Sequence, residues 1–179
     1  MPVRNSAARW GSLAQLFHWV IVVLIVTQFV LGLIAADLPL GMHKLATLAR
    51  HKSIGITILM LAILRLGWRG LNPVPLLPAT LKPYERILAH VTHVALYVLL
   101  FALPISGWLM SSARNFPVSW FNLFQLPDVV GPDQDLYQFM LTTHHVLAWC
   151  LGAIATLHLL AALKHHFVLK DDVLKRMLP

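Results

Sequence analysis

Long apolar stretches alternate with short polar segments along the whole chain. Four of these stretches have few or no formal charges, and each reaches the roughly 20 apolar residues that let a helix cross a bilayer. The pattern therefore predicts an all-α membrane protein, a four-transmembrane-helix bundle that forms one domain over residues 1–179. The predicted spans lie at about residues 11–36, 49–68, 87–112 and 138–163. The apolar core of the first span exceeds the roughly 7–15 residues of a signal peptide, so we expect it to be retained.

The composition favours a lipid bilayer over water as the main surroundings. Charged residues make up 12% of the chain and hydrophobic residues 58%, whereas a soluble domain carries about 25% charged residues. The net charge of +7 arises from basic residues placed between the apolar stretches and not from a continuous stripe, so we predict no nucleic acid partner. Ten Lys and Arg residues fall on the side that holds both termini and four on the other. By the positive-inside rule, both termini are expected in the cytoplasm.

Histidines in the apolar stretches are the candidate functional residues, because ionisable side chains in membrane spans are costly and usually serve a function. His144 and His158 are 14 residues apart, a spacing that advances a helix about 21 Å and leaves both within roughly 40° of one face. His18 lies near the inner boundary of the first span, at the depth of His158. His51 lies at the outer end of the second span, at the depth of His144. The sequence thus predicts one pair of facing histidines at each depth.

Paired imidazoles at two depths favour two stacked haem groups. Neutral imidazoles also suit zinc or copper, but zinc needs about four protein ligands in a structural site, or three and an open position. No Cys or carboxylate accompanies the paired histidines in the sequence. Because a helical bundle can hold a haem between histidines of facing helices, we predict that the four histidines are the axial ligands of two haem irons.

Arg65 is a charged residue inside the second span. It follows His51 by 14 residues, so it is expected on the same helix face, at the depth of the inner pair. A buried Arg requires an anionic partner, and a haem propionate would provide one. The alternative is that Arg65 extends along the helix to the inner interface.

Three further histidines lie near the inner end of the bundle. His90 and His93 are three residues apart, on neighbouring parts of one helix face, and either could replace His18 as the inner ligand. We favour a different role for both, namely hydrogen bonding to a propionate, to water or to a quinone. His165 follows His158 by seven residues on the same face, so we expect it just beyond the inner haem, in contact with a quinone or a propionate.

The segment between the third and fourth spans, residues 115–135, begins with the aromatic run FPVSWFNLF. Aromatic and apolar side chains are typical of segments that lie in the plane of a membrane interface. We therefore predict a short interfacial helix at this position.

Four blocks occur in this order along nearly the whole chain: LFHWVIVVL, RHKSIGITILMLAILRL, LAHVTHVALYVLLFALPISGWLM and HLLAALKHHFVLKDDVLKRMLP. In these blocks the chain resembles the bacterial cytochrome b561 family, four-helix di-haem membrane proteins that include superoxide oxidase and are related to hydrogenase cytochrome b subunits. The resemblance implies haem ligands at His18, His51, His144 and His158. The outer segment from Ser111 to Met140 matches the family least well.

The resemblance implies one-electron transport through two b haems by a multi-pass protein of the bacterial inner (cytoplasmic) membrane. In the superoxide oxidase branch, superoxide is oxidised to dioxygen at the outer, periplasmic face, and the electrons reduce ubiquinone. The predicted topology places four basic residues on that side, Lys44, Arg50, Lys52 and Arg114. Positive charge at an entrance raises the local concentration of an anion, so these residues could steer superoxide; pairing with propionates and lipid phosphates is the alternative.

Two other functions are compatible with the sequence. The chain could be a haem-bearing membrane anchor that relays electrons to quinone for a partner dehydrogenase or hydrogenase docked on the outer face. It could also be a haem-free transporter or channel with proton-relaying histidines, although matched histidine pairs and only four helices argue against that. Our leading hypothesis is a superoxide:ubiquinone oxidoreductase.

Overall fold

Four long helices make up most of the computed structural model, which describes residues 2–77 and 81–178. They are α1 (Ser12–Asp37), α2 (Met42–Gly70), α3 (Pro83–Ala113) and α4 (Gln134–Lys164), and α4 continues into one π-helical turn, His165–Leu169. All four helices are long and apolar enough to cross a membrane. The predicted four-helix membrane fold is therefore confirmed.

The helices extend beyond the predicted apolar spans. The largest difference is at α2, which begins at Met42 and not near residue 49. Apolar content marks where a helix can contact lipid, whereas caps decide where it ends. At the start of α4, for example, the Asp133 carboxylate accepts a hydrogen bond from the Leu136 N–H (2.9 Å), which satisfies a backbone donor that has no partner within the helix.

The helices pack in sequence order, α1 on α2, α2 on α3 and α3 on α4. Ile21, Ile58, Ala62 and Leu100 form a buried apolar cluster where α1, α2 and α3 meet. Within the described residues, α4 does not pack as closely on α1 or on α2. Many large apolar side chains point outward, for example Val23 with 62% of its surface exposed, as expected for helices that face lipid.

Both terminal segments lie at the same end of the bundle, which we call the inner end; the opposite end is the outer end. The Leu76 N–H, in the connection between α2 and α3, donates to the Ala7 carbonyl (3.0 Å). The Arg176 guanidinium donates to the Leu76 carbonyl (2.6 Å). These contacts join the N-terminal segment, the α2–α3 connection and the residues after α4 into one surface.

Residues 170–178, which we call the C-terminal strap, fold back against α1. The Gln15 amide donates to the carbonyls of Arg176 (3.2 Å) and Leu178 (2.9 Å). The Trp19 indole N–H donates to the Met177 carbonyl (2.9 Å). The strap therefore crosses the inner end of the bundle next to the first half of α1.

The outer connection between α3 and α4 contains a small antiparallel hairpin. Its strands are β1 (Ser119–Trp120) and β2 (Phe124–Gln125), with Trp120 opposite Phe124. The predicted interfacial helix in FPVSWFNLF is therefore wrong. The Trp120 indole N–H donates to the Thr57 hydroxyl on α2 (3.1 Å), a non-local contact that helps to hold this aromatic run as a hairpin.

Candidate functional site: two histidine pairs at opposite ends of the bundle

The inner pair joins α1 to α4. The ring centroids of His18 and His158 are 6.5 Å apart, and the two ring planes are inclined by 80°. His93 on α3 also faces this pair, with its ring centroid 5.3 Å from that of His158. The structure thus brings together His18, His158 and His93 at the inner end.

The outer pair joins α2 to α4. The ring centroids of His51 and His144 are 6.1 Å apart, with an interplanar angle of 69°. His144 belongs to the same helix as His158, and the two face different partner helices at different depths. His145 is exposed, so the neighbouring histidine has no part in this arrangement.

The spacing of both pairs fits a haem held between two imidazoles. Two metal–nitrogen bonds of about 2 Å each, laid end to end with two imidazole ring radii of about 1.1 Å, would separate ring centroids by about 6 Å. Both pairs are close to this value, whereas His93 and His158 at 5.3 Å are too close. Among the described residues, α4 packs less closely on α1 and on α2 than on α3, which is the arrangement expected where a cofactor separates helices that otherwise lie about 8–10 Å apart.

A bare metal ion is a poorer fit to the same side chains. In the part of the chain that the structure describes, no three or more His, Cys, Asp or Glu side chains are arranged so that they could hold a metal ion, and this includes the three inner histidines. A zinc site would require at least three such ligands. The donor set therefore favours haem at both pairs.

Two glycines sit directly beneath the outer imidazoles. A Cβ atom added at Gly107 would lie 3.2 Å from Cε1 of His144, and one added at Gly32 would lie 3.3 Å from Cε1 of His51. Each ring therefore packs onto bare helix backbone. The sequence alone does not single out these glycines, because their contact with the imidazoles depends on the register between helices.

The two outer imidazoles differ in their polar surroundings. Nδ1 of His144 lies 3.0 Å from the hydroxyl oxygen of Ser106 on α3. Among the described residues, Nδ1 of His51 has no hydrogen-bond partner; the Gln28 amide of α1 donates instead to the His51 backbone carbonyl (2.7 Å). Ser106 and Gln28 were also missed by the sequence analysis.

Arg65 lies between α1, α2 and α3. Its Nε–H donates to the Tyr97 hydroxyl on α3 (3.2 Å), and its Nη1–H donates to the Ala14 carbonyl on α1 (3.4 Å). Ala14 precedes His18 by four residues, which is about one turn of α1. The guanidinium is therefore held close to the depth of the inner pair. Tyr97 is the partner that sequence reasoning did not find.

The remaining predicted inner histidines have different environments. His90 is exposed on α3. His165 lies in the π-helical turn after α4, and its Nδ1 pairs with the Asp171 carboxylate at the start of the C-terminal strap. His93 is the one of the three that directly contacts an inner imidazole.

Of the four basic residues predicted on the outer side, three donate hydrogen bonds to residues of the outer connections or of neighbouring helix ends. The Lys44 ammonium donates to the Leu38 carbonyl (2.8 Å), and the Lys52 ammonium to the Phe116 carbonyl (2.9 Å). The Arg114 guanidinium donates to the Gln134 side-chain oxygen (2.9 Å), so these three cations brace the outer connections. Arg50 is exposed one residue before His51.

Comparison with known proteins identifies relatives along nearly the whole chain. The family model described as "Prokaryotic cytochrome b561" matches residues 9–179. "Cytochrome b561 homolog 2" of Escherichia coli (strain K12) is 38% identical over 181 residues, covering 99% of this chain and 95% of the relative. "Probable superoxide oxidase CybB" of Yersinia pestis is 39% identical over 131 residues, 72% of this chain and 73% of the relative. "Cytochrome b561 homolog 1" of Escherichia coli (strain K12) is 24% identical over 173 residues, with 96% and 97% covered.

Proposed function

Because the chain belongs to the prokaryotic cytochrome b561 family, we propose that it carries electrons across the membrane from superoxide at the outer end to ubiquinone at the inner end. Family membership makes it a membrane electron-transfer protein with b-type haem. The proposal adds two haems per chain, the two substrates, and a bacterial inner membrane with both termini in the cytoplasm. The observation that carries it is the presence of one histidine pair, 6.1 or 6.5 Å between ring centroids, at each end of the bundle.

The chain's own contribution is to hold and orient the cofactors. In this proposal His18 and His158 would hold a haem at the inner end, and His51 and His144 would hold one at the outer end. A bound b haem supplies one-electron redox chemistry, with a potential set by its axial ligands, burial and nearby charge. Arg65 places a positive charge beside the inner pair, where it could pair with a propionate.

The proposed reaction needs no covalent contact between superoxide and the protein. Two superoxide anions each lose one electron to become dioxygen, and one ubiquinone takes up both electrons with two protons to become ubiquinol. The protein's task at the outer end is therefore to attract an anion. Lys44, Arg50, Lys52 and Arg114 supply positive charge there, which raises the local concentration of superoxide and its encounter rate. The name of the Yersinia pestis relative supports this choice of substrate.

Ubiquinone is proposed to bind at the inner end, close to the inner pair. His93 and His165 are the candidate polar contacts, because the first faces His158 and the second lies seven residues further along the same helical path. The Asp171 carboxylate beside His165 is suited to pass a proton towards the quinone. His90 is exposed and ranks behind both as a contact.

A second candidate function has its own supporting observation. The tip of the outer hairpin exposes Phe121, Leu123 and Phe124 by 50%, 73% and 52%. Exposed aromatic and aliphatic side chains suit protein docking. In this case the chain would be a membrane anchor that relays electrons from a partner dehydrogenase or hydrogenase to quinone.

The test begins with detergent-purified protein that is reduced with dithionite to count b haems, of which we expect two per chain. The oxidised protein then receives a pulse of superoxide in the presence of ubiquinone. Rapid haem reduction with ubiquinol formation, slower at high salt because exposed charges are screened, would support superoxide oxidation. Arg50→Gln should lower the rate and weaken its salt dependence, whereas Lys175→Gln, which removes an exposed cation at the inner end, should not. Two haems that do not respond to superoxide would favour the anchor, and a protein without haem would reject both functions.

A further inference from the structure

Ser106 makes two hydrogen bonds that together determine where the protons lie. Its side chain is buried in α3, with 4% of its surface exposed. The hydroxyl donates to the Leu103 carbonyl (2.8 Å), and the same oxygen lies 3.0 Å from Nδ1 of His144. A hydroxyl has one proton to donate. Because that proton is directed at Leu103, the Ser106 oxygen acts as the acceptor, and Nδ1 of His144 must be the donor.

We propose that Ser106 is a positioning residue that holds His144 in the tautomer with its proton on Nδ1, so that the Nε2 lone pair is free to bind iron. This inference rests on the proposed role of His144 as a haem ligand. A metal-binding imidazole usually donates its second N–H to a nearby acceptor, which fixes the ring orientation and makes the ligand more electron-donating. The relay from His144 through Ser106 to Leu103 provides such an acceptor within the bundle.

The steric surroundings act in the same direction. Gly107, the residue after Ser106, leaves its face of α3 open for the imidazole, since a Cβ there would lie 3.2 Å from Cε1 and 3.4 Å from Nδ1 of His144. The Ser-Gly pair therefore supplies an acceptor and a flat surface side by side. Rotation of the ring would break the hydrogen bond on one side or press on the backbone on the other.

A simpler role for Ser106 would be satisfaction of its own hydroxyl by the helix backbone, as is common for Ser and Thr in helices. Thr27, Thr142 and Thr156 behave in this way, each donating to the carbonyl four residues earlier. Ser106 differs because its hydroxyl oxygen also faces an imidazole nitrogen, with 3.0 Å between that oxygen and Nδ1 of His144.

The proposal predicts an asymmetric effect on the two haems. The inner pair lies at the other end of the bundle, so Ser106 cannot act on it directly. At the outer site, and within the described residues, Nδ1 of His51 has no hydrogen-bond acceptor that could compensate for the loss of Ser106. Loss of the Ser106 hydroxyl should therefore change one haem and leave the other unaltered. Since an imidazole that donates a hydrogen bond favours oxidised iron, loss of the acceptor should raise the midpoint potential of the outer haem.

The experiment compares Ser106→Ala, Ser106→Thr and Ser111→Ala in the full-length, haem-loaded protein. Ser111→Ala is the matched control, since it removes another buried hydroxyl of α3 that bonds a backbone carbonyl and no histidine. Redox titration and low-temperature electron paramagnetic resonance report each haem separately. We expect Ser106→Ala to raise the midpoint potential of one haem, to leave that of the other unchanged, and to alter one low-spin signal. Ser106→Thr, which keeps a hydroxyl, should have the wild-type midpoint potentials and the wild-type low-spin signals.

Loss of one haem in Ser106→Ala with retention in Ser106→Thr would also support the proposal. Unchanged potentials and spectra in Ser106→Ala would overturn it, as would equal shifts in both haems or the same effect from Ser111→Ala. His144→Ala separates this failure from failure of the ligand assignment. If His144→Ala loses one haem while Ser106→Ala changes nothing, only the positioning role is wrong; if His144→Ala keeps both haems, the ligand assignment itself is wrong.

Discussion

Substitution of Gly107 by Ala tests whether the outer imidazole depends on close contact with bare helix backbone. The new methyl group would stand 3.2 Å from Cε1 of His144, whereas carbon atoms in favourable contact are about 3.5–4.0 Å apart. The ring must therefore withdraw by a few tenths of an ångström. Functional side chains must be held within about 0.5 Å of their working position, so this displacement uses up much of the tolerance.

We expect Gly107→Ala to weaken haem retention at the outer site by about 10- to 100-fold, the usual effect of disturbing the support of a metal ligand. This range corresponds to about 1.4–2.7 kcal/mol. The change in helix propensity acts in the opposite direction, because Ala favours a helix over Gly by about 1 kcal/mol. Loss of haem could therefore not be attributed to a weakened α3.

The assay measures the release of haem from purified protein to an excess of an apo-globin, together with the haem content per chain. Gly152→Ala is the control for crowding, since its Cβ would meet Phe29 at 3.4 Å and no histidine. Gly67→Ala is the control for helix propensity, because nothing lies within 4 Å of a Cβ at that position. The reasoning is refuted if Gly107→Ala releases both haems at the wild-type rate, or if Gly152→Ala releases haem equally fast.

Three further predictions concern the inner end. His158→Ala should lose one b haem and retain the other, whereas His93→Ala should retain both. Dithionite difference spectra of the two variants count the haems. Loss of a haem in His93→Ala would show that His93, and not His18, is the partner of His158. Arg65→Gln should lower the midpoint potential of one haem in a redox titration, because a nearby positive charge favours the reduced form; an unchanged potential would contradict its placement beside the inner pair. The Arg176 guanidinium, through its hydrogen bond and charge, lowers the pKa of Asp172 below its ordinary value of 3.8, so this contribution to stability is complete above about pH 4 and is lost as the pH falls through the folded-state value. Protection of the C-terminal strap against hydrogen exchange, corrected for the pH dependence of the intrinsic exchange rate, should therefore fall below that pH, and in Asp172→Asn it should already be lower than in the wild type at neutral pH.

The sequence predicts the four helices and, from the spacing within each helix and the direction of each span, which histidines lie at the same depth. Both results rest on local regularity, since a run of apolar residues reports a membrane span and 14 residues return to nearly the same helix face. The distances of 6.1 and 6.5 Å agree with that expectation. The sequence favours His18 over His93 as the inner ligand, but spacing alone does not decide the choice, because it depends on how far α3 stands from α4.

The outer hairpin and the support of His144 depend on non-local register, so the sequence does not reveal them. In the hairpin, Phe121 and Asn122 have positive φ values of 47° and 60°, typical of a turn that usually carries Asn-Gly. A Phe at the first of these positions removes the turn signal. Ser106 and Gly107 likewise look like ordinary small residues of an apolar helix until α4 is placed beside them.

The C-terminal strap also sets an order of events during synthesis. Its hydrogen bonds to Gln15 join residues separated by 161 and 163 positions. At translation rates of about 5–20 residues per second, roughly 8–30 s pass between the two partners. The helices can enter the bilayer during that interval, while the inner end remains open. If His18 and His158 hold a haem as proposed, that interval is the time in which it can enter between them before the strap binds to α1.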